Sequence, residues 1–182
     1  MKTNAYIALL RAVNVGGTGK LPMTELKAMC EAAGCLSART YIASGNVAFQ
    51  SAKTESQVKA ALEAALAKYA GKPVGVMVRT AAEMNAVLAA NPFAQMPTNR
   101  TVAIFLDAAP AADALKTVSN MGSEELRMGL REIYVYYPDG QGKTKLRIPA
   151  AKNGTARNMN TVAKLAEMAS NILSTAQIKT HE

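Results

Sequence analysis

At 182 residues with 49% hydrophobic content, the chain is long enough for one ordinary domain or two small subdomains around packed cores. Its 21 Lys and Arg against 13 Asp and Glu give a net charge of +8, a field that attracts phosphates, nucleic acid or other acidic partners. No apolar run approaches the roughly 20 residues that span a bilayer, and the stretch from Ala5 to Leu10 is cut short by Arg11. A transmembrane helix and a signal peptide are therefore not expected; the expected location is cytoplasmic, with no membrane partner.

In chain order, residues 4–13 read as an apolar strand that runs into Asn14-Val15-Gly16-Gly17-Thr18-Gly19-Lys20, a glycine-rich loop closed by a lysine. Glycines let backbone N–H groups converge on a ligand, Lys20 adds charge, and the next helix start adds a partial positive end. The loop is thus a candidate anion site, but it is not a P-loop. The first glycine of that pattern falls on Asn14, and its magnesium-binding hydroxyl falls on Leu21. The dinucleotide fingerprint fails too, because its third glycine falls on Pro22. The alternative is that Gly16, Gly17 and Gly19 only shape a strand-to-helix connection, and the sequence leaves both readings open.

A helix follows over 22–33, with Pro22 at its start and Gly34 at its end. Cys30 lies in its apolar pattern and Cys35 follows the glycine. Without C-x-x-C spacing or a nearby histidine, the two read as core packing. Strands at 40–43 and 47–49 flank Ser44-Gly45-Asn46 as a hairpin. Val58, Ala61, Leu62, Ala65, Leu66 and Tyr69 give 55–69 the stripe of an amphipathic helix that Gly71-Lys72-Pro73 ends, and Val74, Val76 and Val78 make a further strand. The first half therefore spells β-α-β-β-α-β, the order of a ferredoxin-like, or split βαβ, arrangement.

Residues 81–90 read as a helix and 91–99 as a Pro- and Asn-rich linker. The order then partly repeats, with a strand at 101–106, a helix at 110–118, and strands at 126–128 and 133–137 around Gly129. A Gly- and Lys-rich loop over 138–156 leads to a last helix from Asn158 or Asn160 to about Met168, and the closing strand is missing from this pattern. The expected fold class is α+β, with two ferredoxin-like subdomains of mainly antiparallel sheet and helices packed on one face. The expected divisions are 1–80, a helix and linker over 81–99, 100–170, and a tail over 171–182.

Chemistry-bearing groups are few. His181 is the only histidine and lies in the polar tail, which removes the usual base of a Ser-His or Cys-His hydrolase. Ser44 with Lys20 as base is the remaining nucleophilic option. Asp107, Asp113 and Asp139 are scattered, so neither a metal site nor a cofactor is expected. Between Gly140 and Ala166 stand Lys143, Lys145, Arg147, Lys152, Arg157 and Lys164 without an acid, a basic segment suited to phosphate. Tyr134-Val135-Tyr136-Tyr137 fits the last four places of the RNP1 pattern, while Leu130 to Ile133 do not fit the first four. Tyr134 and Tyr136 share one sheet face, to stack bases if it is open and to pack if it is covered; packing is the expectation.

Several separated motifs carry a resemblance. These are Arg11-x-x-Asn14-Val15-Gly16-Gly17, Lys20-x-x-Met23 with Leu26, Ser44-Gly45-Asn46-Val47-x-Phe49, and Gly154-Thr155-x-Arg157-Asn158-x-Asn160-Thr161. Together they resemble the DUF1697 family of bacterial proteins over about residues 5–169. The resemblance implies two ferredoxin-like subdomains and, the family being one of unknown function, no particular activity. The chain departs from the commoner pattern at Ala12, where Gly is usual, and at Met159, where Trp is usual, which weakens a stacking role there.

The candidate ligand-binding residues are Arg11, Asn14, Gly16, Gly17, Lys20, Ser44, Asn46, Arg157 and Asn158, with catalytic residues unassigned. In one reading Arg11, Lys20 and Arg157 hold an anion with the help of loop amides. In the other, Asn14 and Asn46 stabilise turns and Asn158 or Asn160 caps a helix. The functional expectation is a soluble binding protein for a phosphorylated small molecule or nucleic acid. The alternatives are a small metal-independent enzyme acting on an anionic metabolite, and a structural or protein-interaction module.

Overall fold

The structure, a computed structural model, describes residues 3–15 and 20–179, with side chains through residue 174. Gly16, Gly17, Thr18, Gly19 and His181 lie outside the described residues. The chain forms two compact units, one from Met1–Asn85 with Lys164–Glu182 and the other from Ala86–Ala163.

The first unit is built on strand β1 (Asn4–Leu10), helix α1 (Met23–Ala32), strands β2 (Leu36–Thr40) and β3 (Asn46–Ser51), helix α2 (Glu55–Ala70), strand β4 (Val76–Thr80) and the first residues of helix α3 (Ala81–Ala89), whose residues from Ala86 belong to the second unit. Its sheet order is β2-β3-β1-β4, with every neighbour antiparallel. This is the split βαβ arrangement, because β3 lies between β1 and β2 and β1 lies between β3 and β4. Nearly every residue of β1 is buried, as expected for a central strand covered on both faces.

One face of the sheet, carrying Tyr6, Ala8, Leu10, Val47 and Phe49, forms a core with Leu26 and Cys30 of α1 and Val58, Leu62 and Leu66 of α2. The last three recur every fourth residue, the period that stacks side chains on one helix face. Ile7, Leu9, Ala48 and Met77, on the opposite face, are buried as well. On that face Gln50 Nε2 donates to Ile172 O of helix α4 (Met159–Lys179) at 2.9 Å.

Helix ends follow local chemistry. Thr54 Oγ1 accepts from Gln57 N while Gln57 Oε1 accepts from Thr54 N, a capping box that starts α2; Gly71 ends it at φ 67°. Thr80 and Glu83 make the same reciprocal pair before α3. Strand β2 lies earlier than the 40–43 read from the sequence. The apolar Tyr41-Ile42-Ala43 forms the turn instead, with Ile42 half exposed and left-handed at φ 48°.

The second unit contains strands β5 (Thr101–Phe105), β6 (Glu125–Met128), β7 (Glu132–Tyr136) and β8 (Thr155–Asn158). Their order, β6-β7-β5-β8, repeats that of the first sheet, again antiparallel throughout. The closing strand expected to be missing is therefore present. Its inward residues Thr155 and Arg157 are polar, so it carries no apolar alternation to read. The helix expected over 110–118 is only a 3-10 turn at Ala114–Thr117, and the 138–156 loop holds two more such turns. These segments still do a helix's work, since Leu115, Val118, Leu146, Ile148 and Ala151 cover the face carrying Val102, Ile104, Ile133 and Val135. Helix α4 continues past Met168 to Lys179, into the segment expected to be a tail.

Candidate functional site

The end of β1 is where the polar motifs of the first unit meet. Leu10 N donates to Gly45 O and Arg11 N donates to Gly75 O, each at 2.8 Å, which ties the strand end to the β2–β3 turn and to the connection before β4. Asn14, left-handed at φ 53°, acts as an extra piece of backbone. Its Oδ1 accepts from Leu21 N at 2.7 Å, and its Nδ2 donates to Leu21 O and to Ala43 O, both at 2.8 Å. One side chain thus joins the glycine loop's two ends to the hairpin turn, a proximity that the strand order alone did not decide.

Asn46 is fully buried; its Nδ2 donates to Tyr41 O at 2.9 Å and to Ser44 Oγ at 2.8 Å. The Ser44 hydroxyl is therefore an acceptor within the turn. Gly45 has no substitute here, because a Cβ would lie 2.5 Å from Val13 Cγ2 and 2.8 Å from Leu10 Cβ, at φ 82°. Ala12 is left-handed at φ 52°, which gives a physical reason for the glycine usual there in the resembled pattern.

Beside these loops lies a hollow of about 180 Å³, walled by Lys20, Leu21, Leu66, Tyr69, Lys72 and Val74 together with Ala12 and Val13. No carboxylate is among the described residues lining it. Lys20 and Lys72 are exposed, and neither ammonium makes a hydrogen bond or ion pair with a described residue. Their positive charge opens onto a floor of leucine and valine. From the sequence, Tyr69 and Val74 read only as helix and strand positions and Lys72 only as part of the stop after α2, although all three lie close to the connection that Arg11 reaches through Gly75.

Arg157 and Asn158 belong to the second unit and are engaged there. Arg157 is 7% exposed, with Nη1 donating to Thr155 Oγ1 at 2.7 Å and Ala156 O at 2.9 Å, and burial pushes its guanidinium down to about 10. Asn158 Oδ1 accepts from Thr161 N at 3.0 Å, capping α4. Met159, where the resemblance raised stacking, is buried.

The tyrosine platform is also occupied. Tyr134 is 1% exposed, donates to Val87 O at 2.7 Å, and has its phenol pushed up by burial and then by Glu132. Tyr136 packs on Phe93 with ring centroids 6.0 Å apart.

A larger groove of about 630 Å³ opens elsewhere in the second unit, lined by Arg100, Lys143 and Lys145 as well as Glu124 and Asp139. Its carboxylates are internally used: Glu124 accepts from Thr144 Oγ1 and Gly122 N, and Asp139 from Ser123 Oγ at 2.6 Å. The Thr144 hydrogen bond, then the backbone amides, holds Glu124 below the usual carboxylate range. Among the described residues, no three His, Cys, Asp or Glu side chains group as metal ligands, and no helix is long and apolar enough to cross a membrane.

Comparison with known proteins places the fold. The chain is similar to the structure of conserved bacterial protein SP0830 from Streptococcus pneumoniae, with a TM-score of 0.76 at 24% identity over 92% of this chain and 99% of that one. No curated protein matches the sequence significantly. A family model described as a protein of unknown function matches residues 3–134, a span that includes the β1 loop and the Ser44-Gly45-Asn46 turn but not the motif at 154–161. The chain belongs to that family, DUF1697.

Proposed function

We propose that the protein binds a small ligand with an anionic head and a short apolar body in the hollow beside the β1 loop. The observation that carries this reading is that Lys20 and Lys72 both line an apolar hollow with no carboxylate among the described residues around it. Two ammonium groups without a partner among the described residues favour a phosphate or carboxylate, and the leucines and valines favour hydrocarbon behind it. A space of about 180 Å³ is below the range of pockets that enclose drug-sized molecules, so a whole nucleotide does not fit. Left-handed Ala12 and Asn14 fix the chain between strand and loop, the kind of local backbone cost that clusters at binding sites.

Isothermal titration with phenyl phosphate tests the reading. Binding should exceed that of inorganic phosphate, and Lys20→Ala or Lys72→Ala should each weaken it about tenfold, the scale of one charge-assisted contact. No heat of binding, or equal affinity in both variants and the parent, contradicts it.

A second reading, a phosphate-rich ligand including nucleic acid, is favoured by the groove of the second unit. Lys143 and Lys145 make no hydrogen bond or ion pair with a described residue, while the carboxylates beside them are already bonded. Phosphate neutralised there would release counterions and give a strong salt dependence.

A further inference from the structure

The last turn of α1 holds a pair of thiols that the proposed binding site does not use. Gly34 N donates to Glu31 O at 3.0 Å and Cys35 N donates to Cys30 O at 2.9 Å, with Gly34 left-handed at φ 86°. These are the two bonds of a Schellman motif, in which the residues at the third position from the end and just past the glycine touch. Here both are cysteines, 0% and 3% exposed and free. Lys53 reaches over the same turn, with Nζ donating to Ala33 O at 2.7 Å and lying 3.6 Å from where a Gly34 Cβ would be.

We propose that Cys30 and Cys35 are a peroxide-oxidisable dithiol that closes to an intrachain disulfide across the end of α1. Contact packing alone would be met by any two small apolar side chains. Two thiols with an ammonium beside one of them add reactivity. The Cys30 hydrogen bond, followed in effect by the Lys53 charge, lowers the Cys35 thiol against the opposing effect of burial, whereas the same contact and burial raise Cys30.

Lys53 Nζ, held over Ala33 and Gly34, acts on Cys35 and not on Cys30, which makes Cys35 the attacking group. Its thiolate displaces hydroxide from hydrogen peroxide to give a sulfenic acid. The Cys30 sulfur then attacks that sulfur, expelling its oxygen as water. In sum, two thiols and one peroxide give one disulfide and two waters. Opening of the helix end, which costs less than global unfolding, admits a reagent as small as peroxide.

The test treats the folded full-length protein with hydrogen peroxide, then alkylates it in denaturant and records the intact mass. The parent chain should lose both alkylatable thiols and two hydrogens, and recover both thiols with dithiothreitol. Cys30→Ser should leave a sulfenic acid on Cys35 that dimedone captures, while Cys35→Ser should keep its thiol at the same dose. The proposal is overturned if the parent retains both thiols, if it proceeds to sulfinic acid without a disulfide, or if Cys35→Ser oxidises as fast as Cys30→Ser. The parent measurement needs no variant to fold.

Discussion

In the first unit the core face of the sheet is covered by α1 and α2, each ended by a glycine turn, whereas in the second the same strand order is covered by 3-10 turns and extended chain. The two sheets show that strand order does not require a helical layer. What it requires is enough apolar side chain delivered to one face, and Leu146 and Ile148 deliver it from irregular backbone as Leu62 and Leu66 do from a helix. The helical cover is periodic, with Leu26, Val58, Leu62 and Leu66 buried beside partly buried Met23 and Met29. The irregular cover is only partly buried, and its long polar connections leave room for the open groove.

The difference has a measurable size. Leu62→Ala should destabilise the first unit by about 3 kcal/mol, because a fully buried leucine leaves a cavity in a rigid helix–sheet contact. Leu146→Ala, at a partly buried position, should cost about 1 kcal/mol, since chain and water can fill the space. Hydrogen exchange reads each unit separately. Equal losses would mean that the irregular layer packs as tightly as the helical one.

The polar contacts give the next largest contrast. Asn46→Ala removes a buried amide that holds two groups of the hairpin turn, and should cost about 2 kcal/mol in urea unfolding. Asn158→Ala removes one cap bond in the second unit and should cost about 1 kcal/mol. A reversed order would show that the hairpin turn finds other partners.

Most of this architecture was legible where side chains alternate or recur. The β1 run, the α2 stripe and the Gly34 and Gly71 stops are direct readings of apolar period and backbone freedom. β8 was hidden because its buried residues are Thr155 and Arg157, and β2 was displaced because Tyr41 and Ile42 look like strand but form a turn held by Asn46. For the site, residue types pointed to Lys20, which is exposed. They gave no sign that Lys72 lies on the same hollow, since that proximity comes from the Arg11–Gly75 hydrogen bond between distant segments.

Ala12 carries the smallest expected effect. Glycine in place of alanine normally loosens a chain, but at φ 52° it also removes a Cβ clash. Ala12→Gly should therefore be neutral or raise stability by about 0.5 kcal/mol, checked by its urea midpoint. A loss of stability would mean that the left-handed conformation there is not fixed by the fold.

The proposed site puts the ligand's anionic head on Lys20 and Lys72 of the first unit, and not in the larger groove of the second. Titration of isotopically labelled protein with phenyl phosphate, followed by backbone amide resonances, tests it residue by residue. Saturable shifts are expected at Ala12, Val13, Lys20, Leu21, Tyr69 and Lys72. Shifts confined to residues such as Ser123, Lys143 and Lys145, or no saturable shift at all, would contradict it.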